Sequence, residues 1–191
     1  MPKTGPKAFI YLDRLRSNLD YIRKKVGDRE ILCVIKANGY GHGAVPIAKA
    51  ISDYPNIQFA VFSIDEAIEL RESKINNDII VFSRIQPDLI DSAYNNNLIV
   101  NLSSIEDIDS IKSYMSKSKN CPRYHIKFDT GMTRLGVDIA DAEILYERII
   151  RELKINPEGV YTHFATADEG DLSYAKMQLI KFEEVVNLAG R

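Results

Sequence analysis

The sequence predicts an α/β fold built on a parallel sheet, and three observations predict it. Short apolar runs alternate with stretches of helical periodicity along the chain. Cap signals of the Ser-x-x-Glu kind open helices directly after apolar runs. The polar residues Lys36, Ser83 with Arg84, Asp129 and His163 fall at or just after the ends of those runs, where parallel α/β folds assemble their sites. Strand and helix in regular succession call for right-handed crossovers and leave two architectures open, a doubly wound sheet and a (β/α)8 barrel.

Each element has a local reason. Asp13 to Val26 carries Leu15, Leu19, Ile22 and Val26 at helical spacing, with Asp13 as the cap. Ile31 to Ile35 is wholly apolar and rich in Val and Ile, which suits a strand buried on both faces. Gln58 to Phe62 reads as the next strand, and Ser63 with Glu66 forms a capping box for a helix to about Ser73. Asp78 to Phe82 is a strand, and Gln86, Pro87 and Asp88 start a helix with the proline in its first turn. Leu98 to Leu102 follows as a strand, with Ser103 and Glu106 as a second capping box. Tyr124 to Phe128, Ala140 to Leu153, Gly159 to His163 and Ser173 to Ala189 read as strand, helix, strand and helix, the last stopped by Gly190.

These make six strand-then-helix units. A complete barrel needs about 250 residues, so six units leave the first and sixth strands with open edges. Ala8 to Leu12, AFIYL, reads as a strand out of step with the repeat, and it is expected to pair outside the main sheet. The chain thus divides into an N-terminal strand at 1–12 and the repeating α/β part at 13–191.

The 191 residues hold 25 basic and 27 acidic side chains, a net charge of -2, and 45% hydrophobic residues. That is globular material with enough apolar residues for a sizeable core. No basic run marks a nucleic acid or an anionic membrane as partner, and a small-molecule ligand is expected. The longest apolar runs are far too short to span a bilayer, and Met1 to Lys7 lacks the apolar core of a signal peptide, so the expectation is a cytoplasmic protein. Cys33 and Cys121 belong to no C-x-x-C pair and are expected to be plain thiols.

Chemistry concentrates in three segments. Lys36 ends an apolar strand inside ILCVIKANGYGHG, where burial can turn an amine into a nucleophile, and the glycines at 39, 41 and 43 promise a flexible loop around Tyr40 and His42. Their spacing differs from a dinucleotide fingerprint. In IKFDTGMTRLG, Lys127, Asp129, Thr130, Gly131, Met132 and Arg134 gather two cations and a carboxylate, and the bland reading is an Asp129–Arg134 salt bridge closing the loop. In YTHFATADE, His163 ends a strand and faces the same end of the sheet as Lys36. With histidines only at 42, 125 and 163, and without H-x-H or H-x-x-x-H spacing, no metal is expected. A glycosidase pairing of Asp129 with Asp168 or Glu169 is conceivable but leaves Lys36 without a role.

The segments VIKANGYGHG, IKFDTGMTRLGV and GVYTHFATADE closely resemble the signature segments of the N-terminal domain of alanine racemases. The resemblance runs in order through nearly the whole chain; Gly39 stands where the family usually has alanine. It implies a (β/α)8 TIM-type barrel, here incomplete at about six units, with a homodimer and a second β-domain in the full-length family, and it implies that the strand at 1–12 pairs with that absent second domain. It also implies pyridoxal 5′-phosphate as cofactor, alanine as substrate, and a role in supplying D-alanine for peptidoglycan precursors. Lys36 matches the lysine that carries the cofactor as a Schiff base and serves as one of two bases. Tyr40 matches a tyrosine that contacts the cofactor phosphate. Arg134 matches the arginine that bonds the cofactor's phenolic oxygen and lies near the substrate carboxylate. Lys127 matches a lysine often N-carboxylated so that it orients that arginine, and His163 matches a histidine beside the pyridine ring. The family's opposite base, a tyrosine in the second domain, has no counterpart here, so the chain is expected to be a fragment of a longer enzyme, inactive alone. A single-domain pyridoxal-phosphate-binding homeostasis protein is the alternative, although such proteins generally lack the DTGM-R-LG segment.

Overall fold

Helices and strands alternate through residue 5 and residues 7–189, which the computed structural model describes. The chain divides at Val81 into two units. In the first, α1 (Leu12–Val26) leads to β1 (Ile31–Val34), a single turn α2 (Lys36–Tyr40), α3 (Ala44–Ile51), β2 (Ile57–Val61), α4 (Ile64–Glu72) and the start of β3 (Ile79–Arg84). Strand β2 is central here: β1 pairs with it in parallel, Ile31 opposite Ile57, and β3 does so on the other side, Phe59 opposite Ile79. Phe59, Ala60 and Val61 are fully buried, as are Ala48 of α3 and Ala67 and Leu70 of α4.

Two readings need correction in this unit, and one segment stands without the partner its reading requires. Helix α1 opens at Leu12 after Tyr11, so Asp13 lies in the first turn, where its charge still complements the exposed N–H groups, but it caps nothing. Ala8 to Tyr11 forms no strand, and Phe9, Ile10 and Tyr11 are exposed; a strand needs a partner edge, and none is present among the described residues. Strand β1 is half-buried along its whole length, because it is an edge strand with only β2 beside it among the described residues. Helix α3 had escaped the sequence reading, although Ala44, Ala48 and Ile51, all buried, stand at helical spacing.

The second unit holds the end of β3, a 3-10 turn at Pro87–Leu89, α5 (Ile90–Asn95), β4 (Ile99–Leu102), α6 (Asp107–Ser118), β5 (Arg123–Asp129), β6 (Val137–Asp138), α7 (Ala142–Arg148), β7 (Gly159–Tyr161) and α8 (Ser173–Ala189). Strand β5 organises it, with β4, β6 and β7 all parallel to it. The two-residue β6 was not expected. Gly136 permits it: at φ 139° its backbone runs so close to β5 that a Cβ would sit 2.6 Å from the Asp129 nitrogen. Helix α7 passes into a π turn at Ile149–Leu153 in place of one regular helix. The predicted stop of α8 at Gly190 lies outside the described residues.

The second capping box is also overturned. Helix α6 begins only at Asp107, and Glu106 makes no capping bond. The buried Asp107 carboxylate takes the N–H groups of Ser103 and Ser104 at 2.8 and 3.0 Å and the Arg84 guanidinium at 3.1 Å. A turn through Ser104 to Glu106 precedes the helix and displaces Glu106 from the third helical position a capping box requires. The first box, Ser63 with Glu66, forms as predicted with both of its bonds.

Candidate active site

The turn that follows β1 is built differently from the flexible loop its glycines suggest. Ala37, Asn38, Gly39 and Tyr40 are all left-handed, with φ of 51°, 52°, 62° and 53°. For residues other than glycine that conformation costs about 1–2 kcal/mol each, so the turn must be held. Gly39 N–H donates to the Ile35 carbonyl at 2.8 Å, Gly41 N–H to Ala37 at 3.0 Å, and Gly43 N–H to Asn38 at 2.8 Å. The Asn38 side chain accepts from Ala44 N–H at 2.9 Å, and a His42 ring nitrogen lies 2.9 Å from the Gly39 carbonyl. Glu66 on α4 takes Ala37 N–H at 2.6 Å. Lys36, half-buried, and Tyr40, 59% exposed, are therefore displayed from a pinned turn at the C-terminal end of a parallel strand. That setting suits an amine and a hydroxyl meant for a ligand.

In the second unit Lys127 is buried on β5, 93% removed from solvent by its 7% exposure, with its ammonium 5.8 Å from the centre of the Tyr161 ring. Tyr161 on β7 donates to Asn101 Oδ1 at 3.0 Å, Asn101 donates to the Phe82 carbonyl at 3.1 Å, and Phe82 stacks on Tyr161 at 5.6 Å. Burial pushes the Tyr161 phenol well above its ordinary value, so it stays a neutral donor. Asp129 ends β5 and accepts the N–H groups of Gly131 and Thr133 at 2.9 and 3.0 Å. This replaces the predicted Asp129–Arg134 salt bridge, which is absent among the described residues: the tight turn brings its own amides to the carboxylate first. Arg134 and His163 are exposed, the latter two residues beyond β7.

A buried polar chain joins the DTG turn to the His163 segment. Gln178 on α8, fully buried, donates to Thr130 Oγ1 at 3.2 Å and to the His163 carbonyl at 3.1 Å, and accepts Ala165 N–H at 2.9 Å. Thr162 donates to the Phe128 carbonyl at 3.0 Å, which leaves Thr130 as the donor in its 2.8 Å bond to Thr162. Tyr174 of α8 adds a 2.7 Å bond to the Gly131 carbonyl. Sequence reasoning missed Glu66 beyond its capping role, Asn101, Tyr161 and Gln178. Asn101 within the otherwise apolar run IVNL was the available signal; Gln178 had none. Among the described residues no group of three His, Cys, Asp or Glu side chains could hold a metal ion, and no helix is long and apolar enough to cross a membrane.

Parallel strands with polar side chains displayed at their C-terminal ends define an α/β chain whose chemistry is gathered at one end of each strand. Solved structures place that architecture. The alanine racemase of Clostridium difficile 630 superposes with a TM-score of 0.86 at 31% identity, covering 92% of this chain and 49% of that one. The alanine racemase of Bacillus anthracis with bound L-Ala-P gives 0.84 at 32% identity, covering 95% and 49%. In sequence, the alanine racemase of Desulforamulus reducens is 39% identical over 184 residues, 94% of this chain and 49% of that protein. Residues 10–191 match the family described as alanine racemase, N-terminal domain, and the chain belongs to that family. Its fold is accordingly that of an incomplete (β/α)8 barrel. The chain spans about half the length of the curated relatives it matches.

Proposed function

We propose that the chain is the pyridoxal-phosphate-binding, N-terminal part of an alanine racemase, and the observation that carries this reading is Lys36 on its pinned left-handed turn. A cofactor bearing an aldehyde and a phosphate fits these residues: Lys36 offers an amine on a rigid backbone, and the exposed Tyr40 offers a hydroxyl from the same turn. Arg134 and His163, both exposed beyond strand ends, would face an anionic oxygen and a ring. When bound, pyridoxal phosphate supplies an electron sink that makes the α-proton of an attached amino acid acidic.

Lys36 would hold the cofactor through its amine and serve as the base on one face of the substrate carbon, since racemisation needs a base on each face. Tyr40 would hold the phosphate. Arg134 would hold the cofactor's ring oxygen and orient the substrate carboxylate through its planar guanidinium. His163 would lie beside the pyridine ring, and Lys127, if N-carboxylated as its match in the family often is, would become an anionic partner that aims Arg134. The second base lies outside these residues, in the family's second domain and on the partner subunit of a homodimer, so the 191 residues alone do not racemise. The substrate is alanine, the D-product feeds peptidoglycan precursors, and the setting is cytoplasmic.

The test is to add pyridoxal phosphate to the purified chain, reduce with borohydride and map the modified residue by mass spectrometry. A tag on Lys36 that disappears in Lys36→Ala supports the reading. A folded sample tagged only at scattered surface lysines overturns it.

A further inference from the structure

We propose that Glu66 is the positioning residue for Lys36, through the backbone on which Lys36 stands; its catalytic meaning rests on the reading of Lys36 as the cofactor lysine. In a capping box the glutamate reaches back to its own N-cap amide and goes no further. Glu66 does this with one oxygen, Oε2, which accepts Ser63 N–H at 3.2 Å and also Phe62 N–H at 2.7 Å. The other, Oε1, is left to accept Ala37 N–H at 2.6 Å, across 29 positions of sequence. One half-buried carboxylate thus joins the end of β2 and the start of α4 to the turn after β1.

The consequence for Lys36 follows from which peptides are held. The direction of its Cα–Cβ bond is set by the two peptide planes that flank its Cα. The preceding plane is fixed where the Ile35 carbonyl accepts Gly39 N–H at 2.8 Å. The following plane is fixed where Ala37 N–H meets Glu66. Ala37, Asn38 and Tyr40 sit in a conformation that side-chain-bearing residues avoid, so releasing one plane allows the turn to relax toward right-handed forms and the lysine to swing away. A bond to an ionised acceptor is the strong kind, suited to resist that relaxation. Among the described hydrogen bonds, the Glu66 side chain alone joins α4 to the Ala37 amide.

The design that separates positioning from simple helix capping uses two variants. Glu66→Gln keeps volume and one accepting oxygen but loses the charge and the double grip. Ser63→Ala removes the hydroxyl that accepts Glu66 N–H at 3.3 Å, weakening the same cap while leaving the Ala37 contact intact. Amide exchange of residues 37–43 is measured in the full chain without cofactor, alongside borohydride trapping of pyridoxal phosphate on Lys36. Expected for Glu66→Gln is exchange at Ala37 and Gly39 faster by about tenfold or more, with Lys36 tagging reduced several-fold. Ser63→Ala should leave both near wild type. If Ser63→Ala reproduces both effects, or Glu66→Gln changes neither, Glu66 is only a cap and the proposal falls. Should the wild type take no tag on Lys36, the cofactor reading fails by itself, and the exchange data still decide whether Glu66 holds the turn. Glu66→Ala, compared at matched global stability, repeats the exchange measurement if the glutamine variant retains the contact through its carbonyl.

Discussion

Gln178 donates to the carbonyl of His163 at 3.1 Å, so helix α8 grips the backbone of the segment that carries the candidate histidine. The same amide reaches Thr130 and Ala165, and the glutamine is fully buried. Replacing it by leucine leaves two acceptors and a donor without this partner, the Thr130 hydroxyl among them buried. Each such group costs about 1–3 kcal/mol, and the expected loss for Gln178→Leu is on the order of 3 kcal/mol in urea unfolding. A loss under about 0.5 kcal/mol would mean that water replaces the side chain without penalty.

Gly39 invites a second substitution, because its backbone is left-handed and its surroundings are crowded. At φ +62°, alanine costs about 1 kcal/mol, and its Cβ would stand 2.9 Å from Cδ1 of Ile47. Gly39→Ala should destabilise this chain by about 1–2 kcal/mol. Ile47→Val removes the crowding atom, so the double variant should recover part of that loss. A thermodynamic cycle reads the coupling directly; additivity within about 0.3 kcal/mol would show that backbone conformation alone matters.

Asp107 and Glu106 offer a test of which acid secures the start of α6. Asp107→Ala removes a buried carboxylate that holds two amides and Arg84, with an expected loss of about 2–4 kcal/mol. Glu106, 75% exposed, should change stability by less than about 0.5 kcal/mol when made alanine. Chemical denaturation of the pair settles the assignment, and equal losses would restore the capping-box reading.

The two cysteines predict a pH response. Burial pushes the Cys121 thiol up to about 11 and raises that of Cys33 as well. At pH 8 both therefore stay protonated in the native chain, and Cys121 should alkylate about a hundredfold more slowly than in urea, following its thiolate fraction. The linkage has a definite sign. Above pH 9 the unfolded thiols ionise while the folded ones do not, so their contribution to stability is present below that pH and lost as the pH climbs toward 11. Fast native-state labelling of Cys121 at pH 8 would show that its strand-entry segment opens.

Much of the frame is legible residue by residue. Strands β2 to β5 and β7 announce themselves as apolar runs, Ser63 and Glu66 as a cap, and Pro87 as a first-turn residue, because each signal acts within a few positions of the chain. The three signature segments likewise stand in the sequence in readable order. Misreading occurs where one local rule meets a distant partner: Asp107 displaces Glu106 because it also serves Arg84, 23 positions earlier.

By itself, then, the sequence determined the α/β alternation, the family and the residues Lys36, Tyr40, Lys127, Arg134 and His163 as candidates. Only the tertiary structure decided how two of the segments are held. The left-handed turn under Lys36 depends on a carboxylate 29 positions away, and the DTG turn on an amide 48 positions away. Backbone conformations that cost energy locally persist only where distant groups repay the strain, and those groups meet only once the chain has folded.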